Sequence, residues 1–146
     1  MEYMYLFSFT EAAIIIYLIC NLIGNRLKVT TFLLLALFTG SINYILYLLV
    51  ANYFLFLIAS VGAFTVLLGV AKLAPFWQRL VAVLIAVTVY QVIEGVNVNL
   101  LIYFLQADPT VALTDFSTRL LWFAPQGLIT ILIAWLLGKY RVTIFN

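Results

Sequence analysis

Glu11 and Glu94 each stand inside an apolar run, in Phe9-Thr10-Glu11-Ala12 and Val92-Ile93-Glu94-Gly95. An ionised carboxylate is costly in lipid, and no Lys or Arg lies within an apolar run beside either acid, so both must be neutralised or held by polar neighbours. Such neighbours exist. Tyr90, Gln91, Glu94 and Asn97 recur at i, i+3 and i+4 spacings, which gathers them on one face of a helix. Asn43, Ser60 and Gln126 interrupt three other apolar runs. Groups of this kind bind a ligand or an ion by hydrogen bonding and charge. Covalent turnover lacks its parts, because the chain has no His, its one cysteine, Cys20, has no base partner, and no Gly-rich phosphate loop or metal-ligand cluster occurs. We therefore expect no enzyme, no cofactor and no metal. The candidate ligand-binding residues are Glu11, Asn43, Tyr90, Gln91, Glu94, Asn97 and Gln126.

The elements that position these residues follow from composition. Of 146 residues 67% are hydrophobic and 8% charged, against roughly 45–50% and about 25% in soluble domains. A water-soluble fold of this size has no way to hide so much apolar surface, and a net charge of +2 is not a nucleic-acid footprint. A hydrocarbon core of about 30 Å takes roughly 20 residues of helix. That ruler predicts one all-α domain, an integral membrane bundle of five transmembrane helices at about 4–23, 31–50, 53–70, 80–105 and 120–137.

The breaks between segments have local causes. Gly24-Asn25-Arg26-Leu27-Lys28 ends the first helix, and the tight Ala51-Asn52 turn makes the second and third antiparallel neighbours. Lys72 to Arg79 is expected as a short interfacial connection, with Pro75 resisting helix and Phe76 and Trp77 suited to headgroups. The fourth helix is the longest and must tilt or protrude. In the loop 106–119, Asp108-Pro109 reads as an N-cap and first helical position, and Val111, Leu113 and Phe116 could lay a short helix on the membrane surface. Pro125 is expected to break or kink the fifth helix near its start. The N-terminal run has no basic flank or small-residue cleavage site, so it should remain a helix. Cys20 reads as a small buried hydrophobe.

Orientation follows from the cations. Five spans put Arg26, Lys28, Lys72, Arg79, Lys139 and Arg141 on one side and leave Arg119 on the other with Glu2, Asp108 and Asp115. Cytoplasmic flanks carry the Lys/Arg excess, which predicts the N-terminus and the 106–119 loop outside and the C-terminus in the cytoplasm. Measured from the outer helix ends at 1.5 Å per residue, Glu11, Asn43, Ser60, Asn97 and Gln126 fall in one layer roughly 10–12 Å deep, with Glu94 nearer mid-membrane.

Each polar group also has a plainer use. Interhelical hydrogen bonds worth about 0.6–2 kcal/mol fix packing register, and this use competes most closely for the asparagines and Gln126. Ala59 with Ala63 and Ala82 with Ala86 are small-residue pairs suited to close helix contact. Trp122, Trp135, Tyr53 and Tyr140 lie near the expected boundaries and suit an aromatic belt.

The order Phe9-Thr10-Glu11-Ala12, Arg26-Leu27-Lys28, Gly40-Ser41-Ile42-Asn43-Tyr44, hairpin, then Val92-Ile93-Glu94 resembles the membrane-embedded sensor region of Gram-positive histidine kinases of the sporulation and peptide-quorum-sensing type. The resemblance spans nearly the whole chain. It implies detection of a signal from outside or within the bilayer, with Glu11, Asn43 and Glu94 at the matching positions. These 146 residues hold no phosphorylatable His and no ATP-binding domain, so signalling would pass through a partner.

The expected function is thus a non-catalytic sensor-like or accessory protein of the bacterial plasma membrane that binds a small or lipophilic ligand in an outer-facing polar layer. Its partners are the lipid bilayer and another membrane or cytoplasmic protein, or a second copy; nucleic acid is not among them. The alternatives are a structural or transport-complex subunit and a small ion-conducting oligomer.

Overall fold

A computed structural model describes residues 2–106, 108 and 115–145. Its elements are α1 (Glu2–Ile23), α2 (Val29–Leu49), α3 (Tyr53–Val70), α4 (Phe76–Leu105) and α5 (Phe116–Lys139). All five are long and apolar enough to cross a membrane, the architecture of a multi-pass membrane protein.

Four helices begin earlier than the hydropathy ruler placed them, α1 and α2 by two residues and α4 and α5 by four. Pro75 is the N-cap of α4, so Phe76 and Trp77 form its first turn rather than a connection; a proline needs no amide partner at a helix start. Asp115 caps α5 by accepting from the Thr118 amide at 2.8 Å and the Thr118 hydroxyl at 2.8 Å, which makes Phe116 helical instead of part of the loop. The expectations for Pro109, Val111 and Leu113 lie outside the described residues. Asn52 closes the α2–α3 turn by accepting from the amides of Phe54 and Leu55 at 2.9 and 3.2 Å.

Neither did Pro125 break α5, which runs through it without interruption. Proline removes one amide and crowds the preceding turn. In that turn the Trp122 carbonyl gains a donor from α4, the Asn97 Nδ2 amide at 2.6 Å.

The helices alternate in direction. Tyr5 near the start of α1 meets Ser41 and Tyr44 in the later half of α2, while Arg79 at the start of α4 donates to the Thr65 carbonyl of α3 at 3.0 Å. Helices α1, α2, α3 and α4 close a ring, and α5 lies in the groove between α1 and α4. Half of α1's span is buried against 22% for α2 and α3, so α1 is the shared wall of both parts.

Lipid gives no hydrophobic drive for one helix to join another, so close packing of small residues carries the association. Ala12, Ala36, Ala82, Ala86 and Ala134 are fully buried, whereas Ala59 and Ala63 are only half-buried. At Gly40 the backbones of α1 and α2 come close together, since a Cβ there would lie 2.8 Å from the Phe9 Cα. Outward faces are apolar, as at Leu33, Leu37 and Phe38 on α2 and Leu128 and Leu132 on α5.

The end holding Arg26, Lys28, Lys72, Arg79, Lys139 and Arg141 is closed by hydrogen-bonded caps. Lys72 and Arg141 adopt left-handed backbones at φ 53° and 52°, and each donates back into the last turn of α3 or α5. A cation there also meets the negative end of the helix dipole. The chain after α5 folds back, and the Ile144 amide donates to the Leu22 carbonyl of α1 at 2.9 Å.

Candidate functional site

At the opposite end the four-helix ring encloses a cavity of about 160 Å³. Helical periodicity explains how each wall is made. Met4, Phe7, Ser8, Glu11 and Ile15 descend one face of α1, and Tyr53, Phe56, Leu57, Ser60 and Phe64 repeat the same spacing on α3. Asn43, Tyr44 and Tyr47 come from α2, Val87, Gln91 and Glu94 from α4, and Arg119 from the first turns of α5. Because neighbouring helices are antiparallel, Met4, Tyr47, Tyr53, Glu94 and Arg119 gather at the mouth. Ile15, Phe64 and Val87 make an apolar floor.

Two carboxyl groups share the cavity with a single cation, Arg119. Glu11 and Glu94 interact through space with each other and with Arg119. Gln91 hydrogen-bonds Glu94 and accepts from the Tyr53 hydroxyl. Arg119 lies over the Phe7 ring, 5.8 Å from its centroid, with its Nε buried and unpartnered. Deeper in, Ser60 is 4% exposed and its Oγ has no partner; the Asn43 Oδ1 is likewise buried and unpaired. Buried polar groups without partners are rare, and each asks for something to satisfy it. Outside the apolar spans, two hydrogen bonds from Thr118 hold the Asp115 carboxyl below its ordinary range.

Of the seven residues selected from sequence, four line this cavity: Glu11, Asn43, Gln91 and Glu94. The other three lie together at the α4–α5 contact. The Gln126 Nε2 donates to the Tyr90 hydroxyl at 3.0 Å, and Asn97 donates to Trp122 as described. Tyr90 is fully buried, with Asn97 and Gln126 nearly so. Trp122, expected in the interfacial belt, is 7% exposed and packs with Leu101 and Val98; Trp135, Tyr53 and Tyr140 are exposed.

The sequence reading left out Ser8, Tyr44 and Tyr47 as cavity residues; it set Arg119 at the outer mouth as the nearest cation to the two acids without counting it among the binding residues. A signal for two of them existed. Ser8 precedes Glu11 by one turn and Tyr47 lies one turn beyond Asn43, so an i, i+3, i+4 search around each selected polar residue finds these two, while Tyr44 directly follows Asn43 and is not reached by it. Arg119 sits at the start of α5, and the packing of α5 against α1 brings it to the mouth.

Relative to α3, Glu94 lies near the end of the ring rather than deep within it. Tyr53, the first residue of α3, reaches Gln91, so Glu94 lies level with the start of α3. Depth counted from α4's own end misleads because α4 has 30 residues and α3 has 18. The last turns of α4 overhang the ring.

Against this geometry, comparisons with protein-family models, curated proteins and solved structures found no match.

Proposed function

We propose that this chain is a non-catalytic membrane receptor or accessory module that binds a small ligand in the ring cavity and passes its occupancy to a partner protein. The observation that carries the reading is the cavity itself, with its two acids, buried unpaired Ser60 and Asn43 oxygens, and apolar floor. A site of about 160 Å³ is close to an engineered cavity of about 150 Å³ that holds benzene. Its ligand is therefore a single ring or a short chain.

The orientation belongs to the same proposal: N-terminus outside, C-terminus in the cytoplasm of a bacterial plasma membrane. Six of seven Lys/Arg at the end away from the cavity support it, and the mouth then opens outward. The likeness to sensor regions of sporulation and quorum-sensing kinases fits this sense of signal flow. A route exists within α1, which lines the cavity with Glu11 and binds the C-terminal segment through Leu22. A ligand moves that segment only by favouring one helix arrangement over another.

A subunit role in a larger membrane complex is the second reading. It rests on an open groove along α4 at Val92, Gly95, Val96, Asn99, Leu100 and Tyr103. An ion-conducting oligomer draws less support, because Glu94 faces a cavity within a single copy.

Mass spectrometry of the chain released from native lipid discs tests the receptor reading. We expect a small-molecule adduct on the wild-type chain and none on Ser60→Leu, whose side chain fills the cavity. Identical spectra for the two would remove the reading. Thiol labelling of intact cells tests orientation, with Asn52→Cys expected to react and Lys72→Cys to be protected; the reverse pattern inverts the bundle.

A further inference from the structure

The walls of the cavity also specify the charge of what enters it. We propose, resting on the receptor reading above, that the cavity takes a small primary ammonium bearing one compact apolar group, of about the size of benzylammonium. Its three N–H donors draw on the acceptors that Glu11, Glu94, Asn43 and Ser60 supply, and its apolar group rests on the floor.

The balance of donors and acceptors carries this. Three buried atoms of cavity residues lack a partner: the Oγ of Ser60, which is 4% exposed, the Oδ1 of Asn43, and the Nε of Arg119, the last held at the mouth over the Phe7 ring and so away from the two oxygens deeper in. The amide oxygen only accepts and the hydroxyl can accept as well as donate, so both can receive from an ammonium, which offers three donors and no acceptor. Two carboxyl groups share the same cavity with one cation, Arg119, which is turned onto the Phe7 ring. An anion entering here meets two acids, which is unfavourable where water is scarce, whereas an ammonium supplies the countercharge beside which one of them can ionise. Tyr44, Tyr53 and Phe56 add ring faces and edges around the mouth and middle of the site, surroundings that suit a cation. Below them Ile15, Leu57, Phe64 and Val87 offer no polar side-chain atom, which fits an apolar substituent and excludes a polycation. The volume of about 160 Å³ accommodates a single ring.

The experiment places a thiol at the unpaired oxygen. Ser60→Cys changes one atom, and Cys20→Ala removes the native thiol. The purified chain in lipid discs is treated with aminoethyl, sulfonatoethyl and methyl methanethiosulfonates, each rate being normalised to that with a free thiol. We expect the ammonium reagent to react at least tenfold faster than the sulfonate. Benzylammonium should slow it, benzyl alcohol and benzoate should not, and Glu11→Gln or Glu94→Gln should lower the charge preference. Equal rates for the charged reagents, a faster sulfonate, or protection by benzoate would overturn the cation assignment while leaving a ligand cavity in place. A charge preference unchanged in both glutamine variants overturns it too. No reaction with any reagent, the neutral one included, means that no accessible cavity exists, and the receptor reading then falls with it. A glutamine variant that fails to fold leaves the benzylammonium protection arm, run in the Ser60→Cys chain alone, to decide.

Discussion

The Tyr53 hydroxyl donates to the Gln91 side chain, tying the first residue of α3 to a residue well short of the end of α4. That one contact sets the depth of the candidate site. It puts Glu94 at the cavity mouth, and it leaves the turns after it projecting roughly 15–20 Å past the α2–α3 turn at 1.5 Å per residue.

Water access along α4 checks this register. Val96→Cys, on the overhanging part of α4, should react with a charged thiol reagent about as fast as Asn52→Cys in the turn. Val66→Cys, exposed on α3 but well inside its span, should stay unreactive. Slow labelling at 96 matching that at 66 would return Glu94 to the middle of the bilayer.

The α1–α2 contact is set by a missing side chain. A Cβ on Gly40 would sit 2.8 Å from the Phe9 Cα and 3.0 Å from its amide nitrogen, and backbone on a packed helix has little room to yield. Gly40→Val should destabilise the bundle by about 1–3 kcal/mol in detergent unfolding. Gly62→Ala, where a Cβ meets nothing within 4 Å, should be neutral or stabilise by up to about 1 kcal/mol. Equal effects at the two positions would show that close approach at Gly40 does not hold the helices.

The α4–α5 polar contacts act on stability rather than on ligand binding. A double-mutant cycle of Tyr90→Phe and Gln126→Leu should give a coupling of about 0.6 kcal/mol, with about 1.7 kcal/mol as the upper end for such pairs in a bilayer. Asn97→Leu should destabilise by a similar amount, because it removes the donor to the Trp122 carbonyl. Benzylammonium affinity should stay within about twofold in all of them. A tenfold loss of affinity in Asn97→Leu with unchanged stability would move that residue into the binding site.

Asp115 gives a pH signature outside the spans. The Thr118 amide and hydroxyl hold its carboxyl below the ordinary value, so the folded group binds protons less readily than the unfolded one. Its contribution to the first turn of α5 is therefore complete above the ordinary carboxylate range and is lost as pH falls through the lowered folded value. Amide exchange in the first turn of α5, corrected for intrinsic rates, should show protection falling in that window. Asp115→Asn should remove the inflection. An inflection at the ordinary carboxylate value would mean that the cap does not form.

How much of this was legible beforehand depends on the range of the interaction. Five apolar segments and their alternation come from chain length and hydropathy, since a backbone in lipid has to satisfy its hydrogen bonds within each helix. The caps lie in the local sequence as well, although hydropathy alone placed the starts of α4 and α5 four residues late, at 80 and 120. Pro75 and Asp115 mark both starts correctly when capping chemistry is given priority over the apolar run.

The polar residues divide along a different line. That Glu11, Asn43, Gln91 and Glu94 belong with buried polar chemistry follows from their occurrence inside apolar runs, because isolated polar groups are too expensive to scatter through lipid. Which of them share a cavity does not follow. Tyr90, Gln91, Glu94 and Asn97 lie on one broad face of α4, yet Gln91 and Glu94 turn into the ring while Tyr90 and Asn97 turn to α5. The division depends on α4 being wedged between two neighbours whose positions are fixed by distant contacts, such as Gly40 on Phe9. Sequence determined that this chain has five apolar helices carrying a few deliberate polar groups, because that is a local consequence of lipid as solvent. Only tertiary packing decided which groups face one another, because helix register is set by interlocking surfaces far apart along the chain.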